Sequence, residues 1–292
     1  MEKQDFVLKD SYKFAELVEI CRYLRSEHGG AWEKAQSHRS LVKNLVEEAY
    51  EVVDAIEQAN PSALQDELSD LLFQVLFHAE FARQDGNFTI EDVITSLARK
   101  LIARSPHVFA NTEAQTVEEA LHSWQQSKYQ QKGFDTLAKV LADVPKTLPA
   151  ALRAEKVQEK AASWGFDWQG DLTPVWQKVQ EEAEELKEAY AQQKQYQPKE
   201  CQIQPGFSQL DSYQQAVLDE AGDLLFITIN LLRKMNISAE IALNHASEKF
   251  INRLALAEKM AMADGTGFKQ LSDTELENYY QRAKEELKHE TR

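Results

Sequence analysis

The sequence predicts an all-α protein of two tandem helical bundle domains that arise from an internal repeat. Three observations carry this. At 292 residues the chain exceeds the length at which a single core usually stops growing, so two units of roughly 130 to 150 residues are expected. Ten Gly and seven Pro are few for that length, and Ala, Leu, Glu, Gln and Lys, which lose least on entering a helix, make up the bulk. The acidic string VEEAYE (46–51) returns as QEEAEE (180–185), and DELSDLLF (66–73) returns as DEAGDLLF (219–226).

Taken in order, Phe14, Leu17, Val18, Cys21 and Leu24 step by three and four residues and predict a helix over 13–27, broken at His28-Gly29-Gly30. Leu41, Leu45, Ala49, Val52 and Ile56 form the stripe of a second helix, and Asn60-Pro61-Ser62 ends it and starts a third, 62–84. So short a turn makes these two antiparallel neighbours. Thr89 is the expected N-cap of a helix over 90–104 that Ser105-Pro106 closes. Mixed stretches follow to about 148. The second copy has a helix near 150–163, a Gly-containing break up to Trp168, and a long helix with Thr173 as N-cap and Pro174 at N1. Gln-rich residues 191–215, with Pro198, Pro205 and Gly206, read as a long flexible loop. The expected division is a first domain 1–132, a linker 133–148 and a second domain 149–292.

A formal charge of −15 repels polyanions and excludes a nucleic-acid polymer as a bulk partner, while a small phosphate ligand is acceptable if metal bridges it. Cys21 and Cys201 are too few for a disulfide framework, and the first residues have neither a basic start nor an apolar run. No stretch has the length of a membrane span. A cytoplasmic setting is expected.

The acids carry the chemistry. Glu48 and Glu51, like Glu182 and Glu185, lie three apart on one helix face beside the apolar stripe. About a turn at Asn60-Pro61, Glu51 and Glu67 are each eight residues from residue 59, and Glu48 and Asp70 are each eleven. Folding there brings all four to one level, with Glu47 adjacent. The same arithmetic in the second copy gathers Glu182, Glu185, Glu220 and Asp223 about residues 202 and 203. The helix over 64–81 is apolar nearly all round, which predicts burial and makes Glu67 and Asp70 costly. Neither Lys nor Arg occurs between Asn44 and Ala82 or between Ala216 and Leu232. Such carboxylates must either take up protons or bind a divalent metal, and all-oxygen ligation selects Mg²⁺, with Mn²⁺ as a substitute. One acidic string alone is ordinarily a solvated helix face; duplication beside an apolar helix favours metal sites.

Lys100 with Arg104, and Lys249 with Arg253, recur as basic pairs after each acidic helix, suited either to phosphate oxygens or to solvent. Tyr279, Tyr280 and five Trp are available to stack on a base or to pack a core. No complete Gly-rich phosphate loop is present. Two E-x-x-H sets, Glu119 with His122 and Glu286 with His289, lie outside the repeated helices.

In order along the chain, GGAWEKAQSHRSLVKNLVEEAYEVVDAI, DELSDLLFQVLFHAEFA, SPHVFA, DVPKTLPAALRAEKVQEKAASWGFDW, KVQEEAEEL, DEAGDLLF and EKFINR together resemble the MazG-type nucleoside triphosphate pyrophosphohydrolases, within the all-α NTP pyrophosphatases. The resemblance implies two MazG-like helical domains, a homodimer, and Mg²⁺-dependent hydrolysis of NTP to NMP and pyrophosphate, with the C-terminal half catalytic. By motif, Glu182, Glu185, Glu220 and Asp223 resemble the Mg²⁺ ligands, with Glu47, Glu48, Glu51, Glu67 and Asp70 as a second metal cluster. Lys178, Glu181, Lys249 and Arg253 would contact the triphosphate, and Tyr280 stands where members commonly place a base-contacting Trp. Glu181 would orient the attacking water and Lys249 and Arg253 would stabilise phosphoryl charge. The chain departs from the common pattern at Ala103, Asn252 and Gly30-Ala31. A pool-cleaning role of broad base specificity is expected. The rivals are a non-catalytic metal- or nucleotide-binding module and an enzyme narrower in substrate, for dUTP or phosphoribosyl-ATP.

Overall fold

The computed structural model describes residues 8–110, 114–196 and 210–290. Among them there is no strand, as the composition predicts. The chain divides into two compact units, Met1–Lys128 and Tyr129–Arg292.

The first unit contains α1 (Phe14–Leu24), α2 (Ala31–Ala35), α3 (Val42–Glu57), α4 (Pro61–Gln84), α5 (Ile90–Arg104), the single turn α6 (Pro106–Phe109) and most of α7 (Val117–Lys132). The α3–α4 hairpin forms where Asn60-Pro61 predicts it. Asn60 Oδ1 accepts the N–H groups of Ser62 and Ala63 at 3.1 and 3.3 Å, and Pro61 fills the first helical position, where no N–H is missed. At the other end of the turn Ala59 takes a left-handed φ of 50°, so that its N–H and that of Asn60 reach back to the carbonyls of Ile56 and Ala55. Thr89 and Asp92 form the reciprocal cap of α5. The core joins Val18 and Cys21 of α1, Leu41 at the N-cap of α3, Leu76, Phe77 and Phe81 of α4, and Ile90 of α5. Burial pushes the Cys21 thiol up to about 11.

The buried residues of α4 all lie in its C-terminal half. The uniformly apolar pattern over 64–81 predicts burial along its whole length, but Leu68, Leu72 and Val75 are 49, 37 and 39% exposed, and Asp70 is exposed with them. The helices packed most extensively on α4 are α1, α3 and α5, and the face that carries Leu68, Leu72 and Val75 is left open.

The second unit holds α8 (Leu137–Ala142), α9 (Ala150–Ala162), α10 (Thr173–Tyr196), α11 (Ser212–Lys234), α12 (Ala239–Ala263), a 3₁₀ turn over Phe268–Gln270, and α13 (Asp273–Glu290). The segment read as a linker, 133–148, contains α8, which packs on α9. The α10 helix begins at Thr173 itself, and Asp171 takes both its N–H and its hydroxyl at 3.1 Å. It also runs farther than the loop reading allows, because residues 191–196 are helical and Gln193 is buried. Asp211 and Gln214 cap α11 reciprocally. What remains of that loop, 197–209, with Cys201 and the centre at 202 and 203, lies outside the described residues. Val175 and Val179 of α10 pack with Ile227 and Leu231 of α11.

The segment between α9 and α10 is fastened to the end of α11. Asp167 accepts Arg233 Nη2 at 2.8 Å and lies 3.6 Å from Lys234 Nζ, which also donates to the Trp168 carbonyl at 2.7 Å. Burial pushes the Asp167 carboxyl up, but the bond and charge of Arg233, with Lys234 beside it, overrule this and hold it below the usual value.

Candidate metal and nucleotide site

Each hairpin gathers carboxylates as the arithmetic predicts, though not every member of each set. In the first unit, ligand atoms of Glu48, Glu67 and Asp70 lie within 4.8 Å of one another; in the second, those of Glu182, Glu185 and Glu220 do. Glu51 is outside the first group, yet its charge reaches Glu48 and Glu67. Glu47 turns away to Lys43, 2.8 Å distant. Asp223, expected as the fourth ligand of the second group, is exposed on α11 and outside it.

The electrostatics of the clusters differ. Loss of hydration raises the Glu48 carboxyl, as do the charges of Asp70 and Glu51, against a hydrogen bond from Gln74. Glu67 is raised by the same loss of hydration and by Glu51 and Asp70. In the second unit a cation intervenes. Lys178 Nζ lies 2.7 Å from Glu181 and from Glu182, and 4.0 Å from Glu185. The bonds to Glu181 and Glu182 raise the Lys178 ammonium further above its ordinary value. Glu182 keeps only 9% of its side chain exposed, so this bond compensates a carboxylate that has lost most of its water. Glu185 is still raised, by desolvation first and by Glu182, Glu220 and Glu181. Between Ala216 and Leu232 α11 carries no cation, but Lys178 on α10, three to four residues before Glu181 and Glu182, supplies one that the stretch counted in the sequence does not include.

Of the basic pair of α12, Arg253 has an aromatic partner. Arg253 Nη1 donates to the Tyr280 hydroxyl at 3.4 Å, and Phe250 packs against the Tyr280 ring. Lys249 is exposed. In the first unit the Arg104 guanidinium lies 5.2 Å above the ring of Trp124 on α7, a counterpart that the repeat of the basic pairs foreshadows without naming. The E-x-x-H sets form no site among the described residues. Glu119 instead accepts the N–H groups of Gln115 and Thr116 at the start of α7, and the His289 side chain is outside the described residues. Sequence reasoning also missed Gln74, only 4% exposed, whose amide meets Glu48 while its Oε1 has no hydrogen-bond partner. Its place one residue after the DLLF motif was the available signal.

Chemically, three carboxylates within bonding reach of one point supply hard oxygen ligands of the kind that Mg²⁺ and Mn²⁺ prefer. A lysine at the edge of such a group can exchange carboxylate for phosphate.

Comparison with known proteins agrees with this arrangement. Residues 36–109 match the MazG nucleotide pyrophosphohydrolase domain, and residues 145–249 match phosphoribosyl-ATP pyrophosphohydrolase. The chain is 38% identical over 271 residues to the nucleoside triphosphate pyrophosphohydrolase/pyrophosphatase MazG of Thermotoga maritima, covering 93% of this chain and 95% of that one. It is 36% identical over 269 residues to the nucleoside triphosphate pyrophosphohydrolase of Escherichia coli, covering 92% and 95%. A nucleoside triphosphate pyrophosphohydrolase of Mycolicibacterium smegmatis matches at 41% over 139 residues, 47% of this chain and 43% of that one. Two relatives matched over almost their entire length, and a repeated acidic hairpin to account for the match, place the chain in the MazG nucleoside triphosphate pyrophosphohydrolase family.

Proposed function

We propose that the protein hydrolyses nucleoside triphosphates to the monophosphate and pyrophosphate at the α10–α11 cluster, with Mg²⁺ held by Glu182, Glu185 and Glu220 and joined by Asp223. The observation that carries this reading is the convergence of those three carboxylates around one point with Lys178 already bonded at their edge. A bound divalent ion supplies positive charge to the phosphate oxygens and lowers the pKa of a coordinated water. The chain's own residues do the rest. Lys178 leaves Glu181 and Glu182 for a phosphate oxygen, which frees Glu181 to orient water. Lys249 and Arg253 take the remaining phosphoryl charge, and Tyr280, fixed by Arg253, offers a face to the base. Stacking tolerates every base, which supports broad specificity and a role in cleaning the nucleotide pool. A nucleotide-pool substrate implies a cytoplasmic enzyme. No helix among the described residues is long and apolar enough to cross a membrane.

A homodimer belongs to the same reading. Leu68 and Leu72 of α4, Leu97 and Leu101 of α5, and Leu225 and Phe250 of α11 and α12 are left 37 to 66% exposed. Exposed apolar side chains on these helices are candidates for burial between two copies of the chain. Light scattering on the purified chain tests it, with a monomer at micromolar concentration as the contrary result.

The match of residues 145–249 favours a second reading, in which phosphoribosyl-ATP is the substrate. Product analysis with Mg²⁺ across the common and oxidised NTPs, dUTP and phosphoribosyl-ATP decides between them. Monophosphate plus pyrophosphate from several NTPs, lost on chelation, is expected. Diphosphate plus phosphate, or no product from any of them, overturns the proposal.

A further inference from the structure

The two acidic clusters are built to different electrostatic plans. When VEEAYE is set against QEEAEE, Asn44 falls opposite Lys178, so the cation that bonds Glu182 in the second unit has an uncharged residue in its place in the first. Lys43, one residue away, is bonded to Glu47, which lies outside the cluster. When DELSDLLFQ is set against DEAGDLLFI, Gln74 falls opposite Ile227. Gln74 is 4% exposed, bonded to Glu48, and its Oε1 is buried without a hydrogen-bond partner. A buried amide oxygen left unsatisfied costs roughly 1–3 kcal/mol, and it is an acceptor suited to the O–H of a water on a bound cation. The second cluster has the aliphatic Ile227 at this place.

We infer that the Glu48–Glu67–Asp70 cluster is a resident divalent-cation site that fills in the absence of nucleotide, with Gln74 as its positioning residue, whereas the Glu182–Glu185–Glu220 cluster takes its ion only together with the triphosphate. In the second unit Lys178 holds the place of positive charge until a phosphate draws it away, so ion and nucleotide enter as a pair. In the first, the carboxylates face one another without that cation, and an ion binds to them unopposed. This rests on the reading of both clusters as divalent-cation sites, and it adds an order to their filling.

The test is a Mn²⁺ titration of the full chain without nucleotide, followed by electron paramagnetic resonance. The wild type is expected to take up one tight ion per chain, retained in Glu220→Gln and lost in both Glu67→Gln and Asp70→Asn. Gln74→Ile should weaken that ion by roughly 10-fold or more while leaving the far-UV helical signal unchanged. Lys178→Asn, which gives the second cluster the residue of the first, should add a second ion. Two equal ions in the wild type, a tight ion lost in Glu220→Gln rather than Glu67→Gln, or unchanged affinity in Gln74→Ile overturns the inference. If pyrophosphate release is intact beside any of those results, only the order of filling fails. If no ion binds with or without nucleotide, the metal reading of both clusters fails with it.

Discussion

Replacing Asp167 with Asn tests whether the clamp between the α9–α10 segment and the end of α11 holds the second unit in register. The side chains of Asp167, Arg233 and Lys234 are 18, 14 and 12% exposed, so the group lies nearer the buried than the surface limit. At 2.8 Å and an effective dielectric of about 20 the Arg233 pair alone has a gross attraction of about 6 kcal/mol, most of which desolvation offsets. Exposed pairs are worth at most about 1 kcal/mol, and breaking a fully buried one costs about 3–5. Because Asn keeps the shape and one acceptor, a loss of about 2 kcal/mol is expected at pH 7. For a unit of this size that lowers one unfolding transition by about 4–8 °C in scanning calorimetry. The sign with pH follows from the depressed carboxyl. Its stabilisation is complete above the unfolded value of about 3.9 and is lost as pH falls through the lower folded value. The difference between wild type and variant therefore holds from pH 7 to about 5 and closes toward pH 3. A shift below about 1 °C at pH 7, or a difference unchanged at pH 3, refutes the account of the clamp.

Three further outcomes follow from the same geometry. Glu220→Gln and Asp223→Asn should each lower pyrophosphate release by at least about 10²-fold with the circular dichroism of the helices retained; full activity in Asp223→Asn would leave that exposed carboxylate outside the working set. Ala59 holds a left-handed φ in the turn of the first acidic hairpin, so Ala59→Gly should raise stability by roughly 1 kcal/mol, read as a higher denaturation midpoint at unchanged slope. Phe77 is fully buried between Phe73 and Phe81 at ring distances of 4.2 and 5.8 Å, so Phe77→Ala should cost about 3–5 kcal/mol in urea denaturation, and a loss under 1 would mean that the first unit's core is elsewhere.

The sequence by itself determined the helical class, the positions of α1, α3, α4 and α5, and the meeting of Glu48 with Glu67 and Asp70 across the first hairpin. These are local properties: a 3.6-residue apolar period and an Asn-Pro turn fix how far each residue lies from the turn, and that distance sets which acids are level. The tertiary structure alone decided what surrounds those acids. Apolar periodicity cannot tell a helix enclosed on every side from one with an uncovered face, which is why Leu68, Leu72 and Val75 are exposed where the pattern of α4 predicts burial. A count of charges along one helix cannot show that Lys178 folds onto Glu182, because that bond depends on side-chain direction four residues apart. Nor can it show Gln74 beside Glu48, a contact between two helices that turns two copies of one motif into two different electrostatic environments.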